Sequence, residues 1–224
     1  MGSIDVLYRD DDLAVCVKPQ GALSQDAGAQ SVPGLLRAAL GAAQVWPIHR
    51  LDQAAGGVMV YALTERAAAA LSRAVQNGQL EKTYLAVTQG TPPEPEGAWT
   101  DLLFHDQRRN KTFVVTRQRK GVREARLSYR VLAGDGTRSL VAVQLFTGRT
   151  HQIRVQFASR GLPLAGDGRY GGGKAGRLGL WSWRIRFPHP QTGETMTFSR
   201  LPPADFPWEE LASEEIASKL EEIC

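Results

Sequence analysis

Short apolar runs recur along this chain, each closed by residues that turn the backbone. Ile4 to Arg9 and Leu13 to Lys18 predict two strands joined by Asp10-Asp11-Asp12, a hairpin with a wet acidic tip, and Lys18-Pro19-Gln20-Gly21 stops the second. Ser31 ahead of Val32, Leu35, Leu36, Ala39 and Leu40 predicts an N-capped helix with one apolar face, ended by Gly41. Val58 to Leu63 reads as a buried strand. Thr64 is placed to cap a helix over Glu65 to Gln76, alanine-rich with Leu71 and Val75 inward, and Asn77-Gly78 supplies its left-handed stop. Lys82 to Thr88 resumes as strand.

Gly90-Thr-Pro-Pro-Glu-Pro-Glu-Gly97 continues neither ladder nor helix, so it predicts a surface loop and a lobe border near 89–98. Thr112 to Thr116, Ala125 to Leu132 and Leu140 to Phe146 read as strands of a meander. Thr147 to Phe157 reads as a turn and a helix that puts Ile153 and Phe157 on one face, with Arg154 beside it. Leu178 to Phe187 and Thr195 to Phe198 predict a further hairpin, and an acidic helix over about 208–223 closes the chain. Runs of strands with interspersed helices, rather than strict alternation, predict an α+β fold on a mixed, mostly antiparallel sheet flanked by helices. The 224 residues, 42% of them hydrophobic, fit a single domain over 1–224.

Charge sharpens this picture. Residues 205–224 carry seven acids against Lys219, so the net charge of +4 conceals +10 on the preceding 204 residues. Segment 105–130 alone holds nine bases (Arg108, Arg109, Lys111, Arg117, Arg119, Lys120, Arg123, Arg126 and Arg130) against Asp106 and Glu124, a density that favours a polyanionic partner. Cys16 and Cys224 form neither a metal-binding spacing nor a disulfide framework, and no metal or other cofactor is expected. No apolar run of about 18 residues exists, and the first residues have no basic flank leading into an apolar core. A cytoplasmic protein without membrane contact is expected.

The candidate chemistry centres on Trp46-Pro-Ile-His-Arg-Leu-Asp-Gln-Ala-Ala-Gly-Gly-Val-Met-Val-Tyr61, where charged residues crowd a turn that feeds an apolar strand. Gly56-Gly57 permit a tight turn and place the carboxylate of Asp52 at a loop mouth supported by sheet. Three further clusters accompany it: Lys82-Thr83-Tyr84, Gly148-Arg-Thr-His-Gln-Ile-Arg154 and Gly161-Leu-Pro-Leu-Ala-Gly-Asp-Gly-Arg-Tyr-Gly171. In this order the four resemble the RluA-type family of RNA pseudouridine synthases, whose pattern runs His-Arg-Leu-Asp-x-x-Thr-Ser-Gly, Lys-x-Tyr, Gly-Arg-Thr-His-Gln-Ile-Arg-Val-His and Gly-x-Pro-x-x-Gly-Asp-x-x-Tyr-Gly. Phe187-Pro-His-Pro-Gln-Thr-Gly-Glu194 fits as well, and the resemblance spans about Ile4 to Phe198.

The resemblance implies the catalytic fold of that family, with an active-site cleft between two lobes and no N-terminal accessory RNA-binding domain. It implies isomerisation of uridine to pseudouridine in ribosomal or transfer RNA, with Asp52 as nucleophile on a flipped-out base. Arg154 would be its guanidinium partner, Arg149 the next candidate, and Tyr84 would lie against the uracil ring. Arg50 would fill the vacancy left by the extracted base or hold its phosphate. His49 and His151 read as loop-orienting or RNA-facing, Leu180 as packing on the uracil, and Arg108, Arg109 and Lys111 as gripping the RNA backbone of a monomeric enzyme. Ala55-Gly56 replace Thr-Ser of the pattern, and Gln156 and Trp181 stand where a histidine is common. The alternatives are an RNA-binding or chaperone module without turnover, suggested by Ala55-Gly56, and a carboxylate-dependent N-glycosylase or nuclease. Against the latter stands the lack of a second acid placed to activate water.

Overall fold

The computed structural model describes residues 4–173, 176–205, 207, 208, 219 and 220. Among these, the chain order is β1 (Asp5–Arg9), β2 (Leu13–Lys18), α1 (Val32–Leu40), β3 (Trp46–Pro47), β4 (Gly56–Ala62), α2 (Glu65–Gln76), β5 (Glu81–Gln89), β6 (Glu96–Asp106), β7 (Lys111–Val115), β8 (Val122–Gly134), β9 (Arg138–Leu145), α3 (Gln152–Ala158), β10 (Leu180–Pro188) and β11 (Thr195–Ser199). The α+β expectation holds. The acidic helix expected over 208–223 lies outside the described residues except at Trp208, Lys219 and Leu220.

The chain forms two compact units, 1–83 with 181–202 and 84–180 with 203–224. The division falls within β5 and at the start of β10, not at the proline-rich segment, which is an internal connection of the second unit. Thr88 Oγ1 there donates to the carbonyl of Gly90 at 2.8 Å, and Gly90 N–H donates to the carbonyl of Thr137 at 2.7 Å, so the segment is anchored at its start.

In the first unit the strands run in the order β1-β2-β4-β10, with β11 pairing β10 and β3 pairing β4. All these pairs are antiparallel except β4 with β10. Helix α2 packs on this sheet because Ala67, Leu71 and Ala74 recur at helical spacing and are buried; Ala67 and Leu71 join Leu13, Val15, Val58, Val60, Ile185 and Phe187 in one apolar core. Thr64 caps the helix, its hydroxyl accepting from Ala67 N–H at 3.2 Å and donating to Asp12 at 2.9 Å. The acidic tip is therefore not wet throughout. Asp12 is buried, and Asp10 accepts the N–H groups of Asp12 and Leu13, the Tyr8 hydroxyl and His189 Nε2, all within 2.9 Å. Only Asp11 of the three is exposed.

In the second unit the order is β5-β9-β8-β6-β7. Strand β6, which the hydrophobic pattern did not predict, pairs with β8 from Glu96↔Arg130 to Phe104↔Val122 and with β7 from Leu102↔Val115 to Asp106↔Lys111. The basic segment 105–130 is accordingly divided among a β6–β7 hairpin tip, the connection after β7 and the solvent side of β8. Helix α3 is short and almost wholly buried, and Val155 packs with Leu103 and Ala125.

Candidate active site

Asp52, half-buried, stands in segment 50–55 between β3 and β4, and both of its neighbours are fixed through their backbones. Leu51 donates its N–H to Ser24 Oγ at 3.3 Å and accepts from the same hydroxyl at 3.0 Å. The Gln53 carbonyl accepts from Gly21 N–H at 2.8 Å, while Gln53 Nε2 donates to the Gly21 carbonyl at 3.0 Å. Lys18, at the end of β2, closes the strap: its Nζ donates to the carbonyls of Pro19, Gln53 and Ala55 at 3.0, 3.1 and 2.6 Å. Three carbonyls match the three N–H donors of an ammonium. Burial pulls this ammonium down to about 8, and the Asp52 carboxylate opposes that shift. In the sequence Lys18 reads only as a strand stop; the signal for its role is a lysine ending an apolar run directly before Pro19.

Gly56 and Gly57 serve a different purpose from the tight turn expected of them. They open β4, where they pair with Trp181 and Ser182 of β10. A Cβ on Gly57, whose φ is 118°, would strike the backbone of Ser182, and a Cβ on Gly56 would strike the ring of Trp181. Two departures from the family pattern therefore explain each other: the indole of Trp181 occupies the space that a serine at position 56 would need. Its Nε1 donates to the Arg200 carbonyl at 2.7 Å, which fixes the ring in that place. Ala55, the other departure, is buried and contributes its carbonyl to Lys18.

His49 is buried and takes the Val60 N–H on Nε2 at 3.3 Å, which assigns the proton to Nδ1. Burial, then the charge of Lys82, push its pKa down to about 3, so it is neutral and cannot serve as an imidazolium at ordinary pH. Arg50, next to it, is exposed. Lys82 itself is pulled down by burial.

In the second unit, α3 carries Arg154 on its first turn. Nε donates to Asp167 Oδ2 at 2.7 Å and Nη2 to Oδ1 at 2.8 Å, with the side chains 8% and 0% exposed. The guanidinium also lies 5.2 Å from the centre of the Tyr170 ring. His151, buried and left-handed with φ 54°, stands before the helix with Nδ1 3.0 Å from the Tyr170 hydroxyl. Arg149 is exposed at its head and donates Nε to the Glu124 carbonyl at 2.8 Å. Gln156, which replaces a histidine of the pattern, is fully buried and donates to Asp101 at 2.7 Å. Asp167 and Tyr170 stand in a motif that the sequence displays, but nothing in the sequence alone gave them a role.

Tyr84 is buried on β5 and Leu180 is buried at the start of β10. Arg108 and Arg109 occupy the exposed β6–β7 tip, Arg109 3.7 Å from Asp106. Lys111 follows, its ammonium 5.4 Å from the centre of the Tyr170 ring and 5.7 Å from that of Phe113. Within the first unit the structure thus assembles His49, Arg50 and Asp52 with Lys18; within the second it assembles His151, Arg154 and Lys111 around Tyr170, while Arg149 turns to the Glu124 carbonyl. Among the described residues no group of His, Cys, Asp and Glu is arranged to hold a metal ion, and no helix is long and apolar enough to cross a membrane.

A solved structure of human RNA pseudouridylate synthase domain containing 1 superposes with a TM-score of 0.81 over 99% of this chain and 96% of its own, at 21% identity, and so shares the fold. The family model for RNA pseudouridylate synthase matches residues 12–159. Dual-specificity RNA pseudouridine synthase RluA of Escherichia coli (strain K12) is 35% identical over 90% of this chain and 93% of the relative. Ribosomal large subunit pseudouridine synthase D of Neisseria meningitidis is 31% identical over 91% of this chain, which spans 59% of that relative. The fold is that of a pseudouridine synthase. The chain belongs to the RluA-type family of RNA pseudouridine synthases, which makes it an isomerase acting on RNA.

Proposed function

We propose that the enzyme isomerises specific uridines of ribosomal or transfer RNA, with Asp52 as the nucleophile on a flipped-out uridine. The bond from uracil N1 to ribose C1′ breaks, the detached base turns, and C5 takes its place on C1′. N1 gains the proton that C5 gives up, so the product is an isomer and no water, redox partner or cofactor is consumed. Arg154 supplies the positive charge against which the Asp52 carboxylate works, and Tyr84 stacks on the ring, a contact worth about 1 to 3 kcal/mol per base. Arg50 fills the gap left in the RNA, with His49 orienting its loop from behind. Leu180 packs on the uracil, Arg149 and His151 serve the RNA side, and Arg108, Arg109 and Lys111 grip phosphates of an RNA bound by a monomer.

The observation that carries this reading is the strapping of the Asp52 loop. A half-buried carboxylate whose neighbours are pinned at Leu51 and Gln53 is held ready for attack, since pre-organised geometry is what lowers such barriers. A turn-capping aspartate would need no buried lysine beneath it. Ribosomal RNA is the first substrate to test, because the Neisseria relative is named for the large ribosomal subunit. Pseudouridine mapping of ribosomal and transfer RNA from cells with and without this protein names the target: a site lost with the protein supports the reading, and identical maps contradict it.

A further inference from the structure

Segment 166–172 forms a closed turn in the second unit. Gly166 N–H donates to the Gly172 carbonyl at 2.9 Å, and the Asp167 carbonyl accepts from Tyr170 and Gly172 N–H at 3.2 and 2.9 Å. Arg169 N–H donates to Asp167 Oδ1 at 3.2 Å. A Cβ on Gly166 or Gly172 would strike the backbone of Arg177 or Leu164, so the turn is tightly enclosed. It faces Arg154 with Asp167, whose carboxylate accepts two bonds from that guanidinium, and with the ring of Tyr170.

The same turn is fastened to the basic β6–β7 hairpin. Arg169 Nη1 donates to the carbonyls of Arg109 and Asn110 at 3.1 and 2.8 Å, at a tip where Asn110 is left-handed with φ 44°. The Tyr170 hydroxyl takes the Thr112 N–H at 2.8 Å and lies 3.0 Å from His151 Nδ1. Thr112 is further fixed through its own hydroxyl, which donates to the Thr150 carbonyl at 2.8 Å and lies 3.0 Å from His105 Nδ1. Lys111 adds its ammonium to the Tyr170 ring. One turn therefore touches the exposed hairpin with two side chains and the buried arginine with two, Tyr170 doing both.

We infer that Tyr170 is a positioning residue that couples the seating of the β6–β7 hairpin to the orientation of Arg154, so that RNA held on the hairpin sets the arginine for the chemical step. The inference rests on the reading that Arg154 and Asp52 act together on uridine. A hairpin that moves by a fraction of an ångström carries the Thr112 N–H with it, and through the Tyr170 hydroxyl the ring beneath the guanidinium. A misplacement of about 1 Å at a positioning group can cost roughly 100-fold in rate. The bland alternative is packing alone, since Tyr170 also lies against the Leu103, Ala125 and Val155 cluster.

Tyr170→Phe separates the two, because it keeps ring and packing and removes only the hydroxyl. The probe is unmodified ribosomal and transfer RNA carrying tritium at uridine C5, with release of tritium followed in single turnover at saturating enzyme. The expected result is a rate about 10- to 100-fold below wild type, with half-saturation within about twofold and an unchanged melting temperature. Tyr170→Leu, which also removes the ring, falls further. Arg169→Gln slows the step as well, and Tyr170→Phe/Arg169→Gln is no slower than the worse single variant because both cut one linkage. A Tyr170→Phe protein at wild-type rate, or losses that multiply in the double variant, would overturn the coupling. Asp52→Asn runs alongside: if it turns over, the reading beneath the inference fails instead, and if it is silent while Tyr170→Phe is normal, the coupling alone is lost.

Discussion

Arg154 lies across Asp167 with two nearly parallel hydrogen bonds, Nε to Oδ2 at 2.7 Å and Nη2 to Oδ1 at 2.8 Å, in a position almost closed to water. A guanidinium fork on a carboxylate fixes orientation as well as charge. Removing one partner of a buried, hydrogen-bonded pair of this kind costs about 3 to 5 kcal/mol. Asp167→Ala is therefore expected to lower the free energy of unfolding by about that amount and to reduce turnover sharply. Urea denaturation of both proteins checks this, and a loss below about 1 kcal/mol, the worth of an exposed pair, would contradict it.

His49 gives the stability a pH dependence of definite sign. Its ordinary value is 6.5, and burial, then Lys82, push it down to about 3 in the folded chain. Between these values the unfolded chain binds the proton and the folded chain does not, so stability falls as pH drops from about 6.5 towards about 3. Above 6.5 both states are neutral and this contribution is flat. His49→Gln, whose amide oxygen can accept the Val60 N–H, should flatten the slope in that window. Unfolding free energies measured across it decide the matter, and equal slopes in both proteins would contradict the assignment.

Sequence legibility followed how strongly each segment depends on its own residues. Helix α2 appears at Glu65–Gln76 as its Thr64 cap and alanine-leucine stripe predict, since cap and apolar face are both local. Strand β6 was not legible: Pro92, Pro93 and Pro95 precede it, Gly97 and Asp101 interrupt its alternation, and most of it is only half-buried. What makes it a strand is nine-residue pairing with β8, a tertiary cause. Asp52 and Arg154 were legible through the motifs that hold them. The bonds of Lys18 to three carbonyls, the bonds of Asp167 to Arg154 and the Tyr170 ring against that guanidinium were not, because they join residues whose separation carries no periodic signal.

Gly56 and Trp181 form a matched pair, and their coupling is measurable. Gly56→Ser drives a side chain into the indole and should cost about 1 to 3 kcal/mol, the usual penalty for overpacking. Trp181→His opens a cavity and gives up the bond to Arg200. The double variant is expected to be more stable than the two single losses summed, by at least about 0.5 kcal/mol in a double-mutant cycle. Additive losses would show that the indole does not constrain position 56.

The hairpin tip makes a prediction about salt. Replacing Arg108, Arg109 and Lys111 by glutamine should weaken target and non-target RNA alike, and should flatten the slope of log affinity against log salt by about 0.7 to 0.9 for each phosphate that is no longer neutralised. Fluorescence anisotropy at several salt concentrations reads this directly. An unchanged slope would mean that these side chains only keep the strands wet.

The carboxylate of Asp52 is expected to perform the chemistry. Asp52→Asn keeps the size of the side chain and leaves the strap of Ser24, Gly21 and Lys18 on the neighbouring residues intact, since those bonds reach Leu51, Gln53 and Ala55 rather than Asp52 itself. The variant should fold and bind RNA as the wild type does. The measurement is release of tritium from C5-labelled uridine in RNA by purified Asp52→Asn beside wild type. Steady release by the wild type and none above background by the variant is the expected result; multiple turnover by the variant would contradict a catalytic role for Asp52.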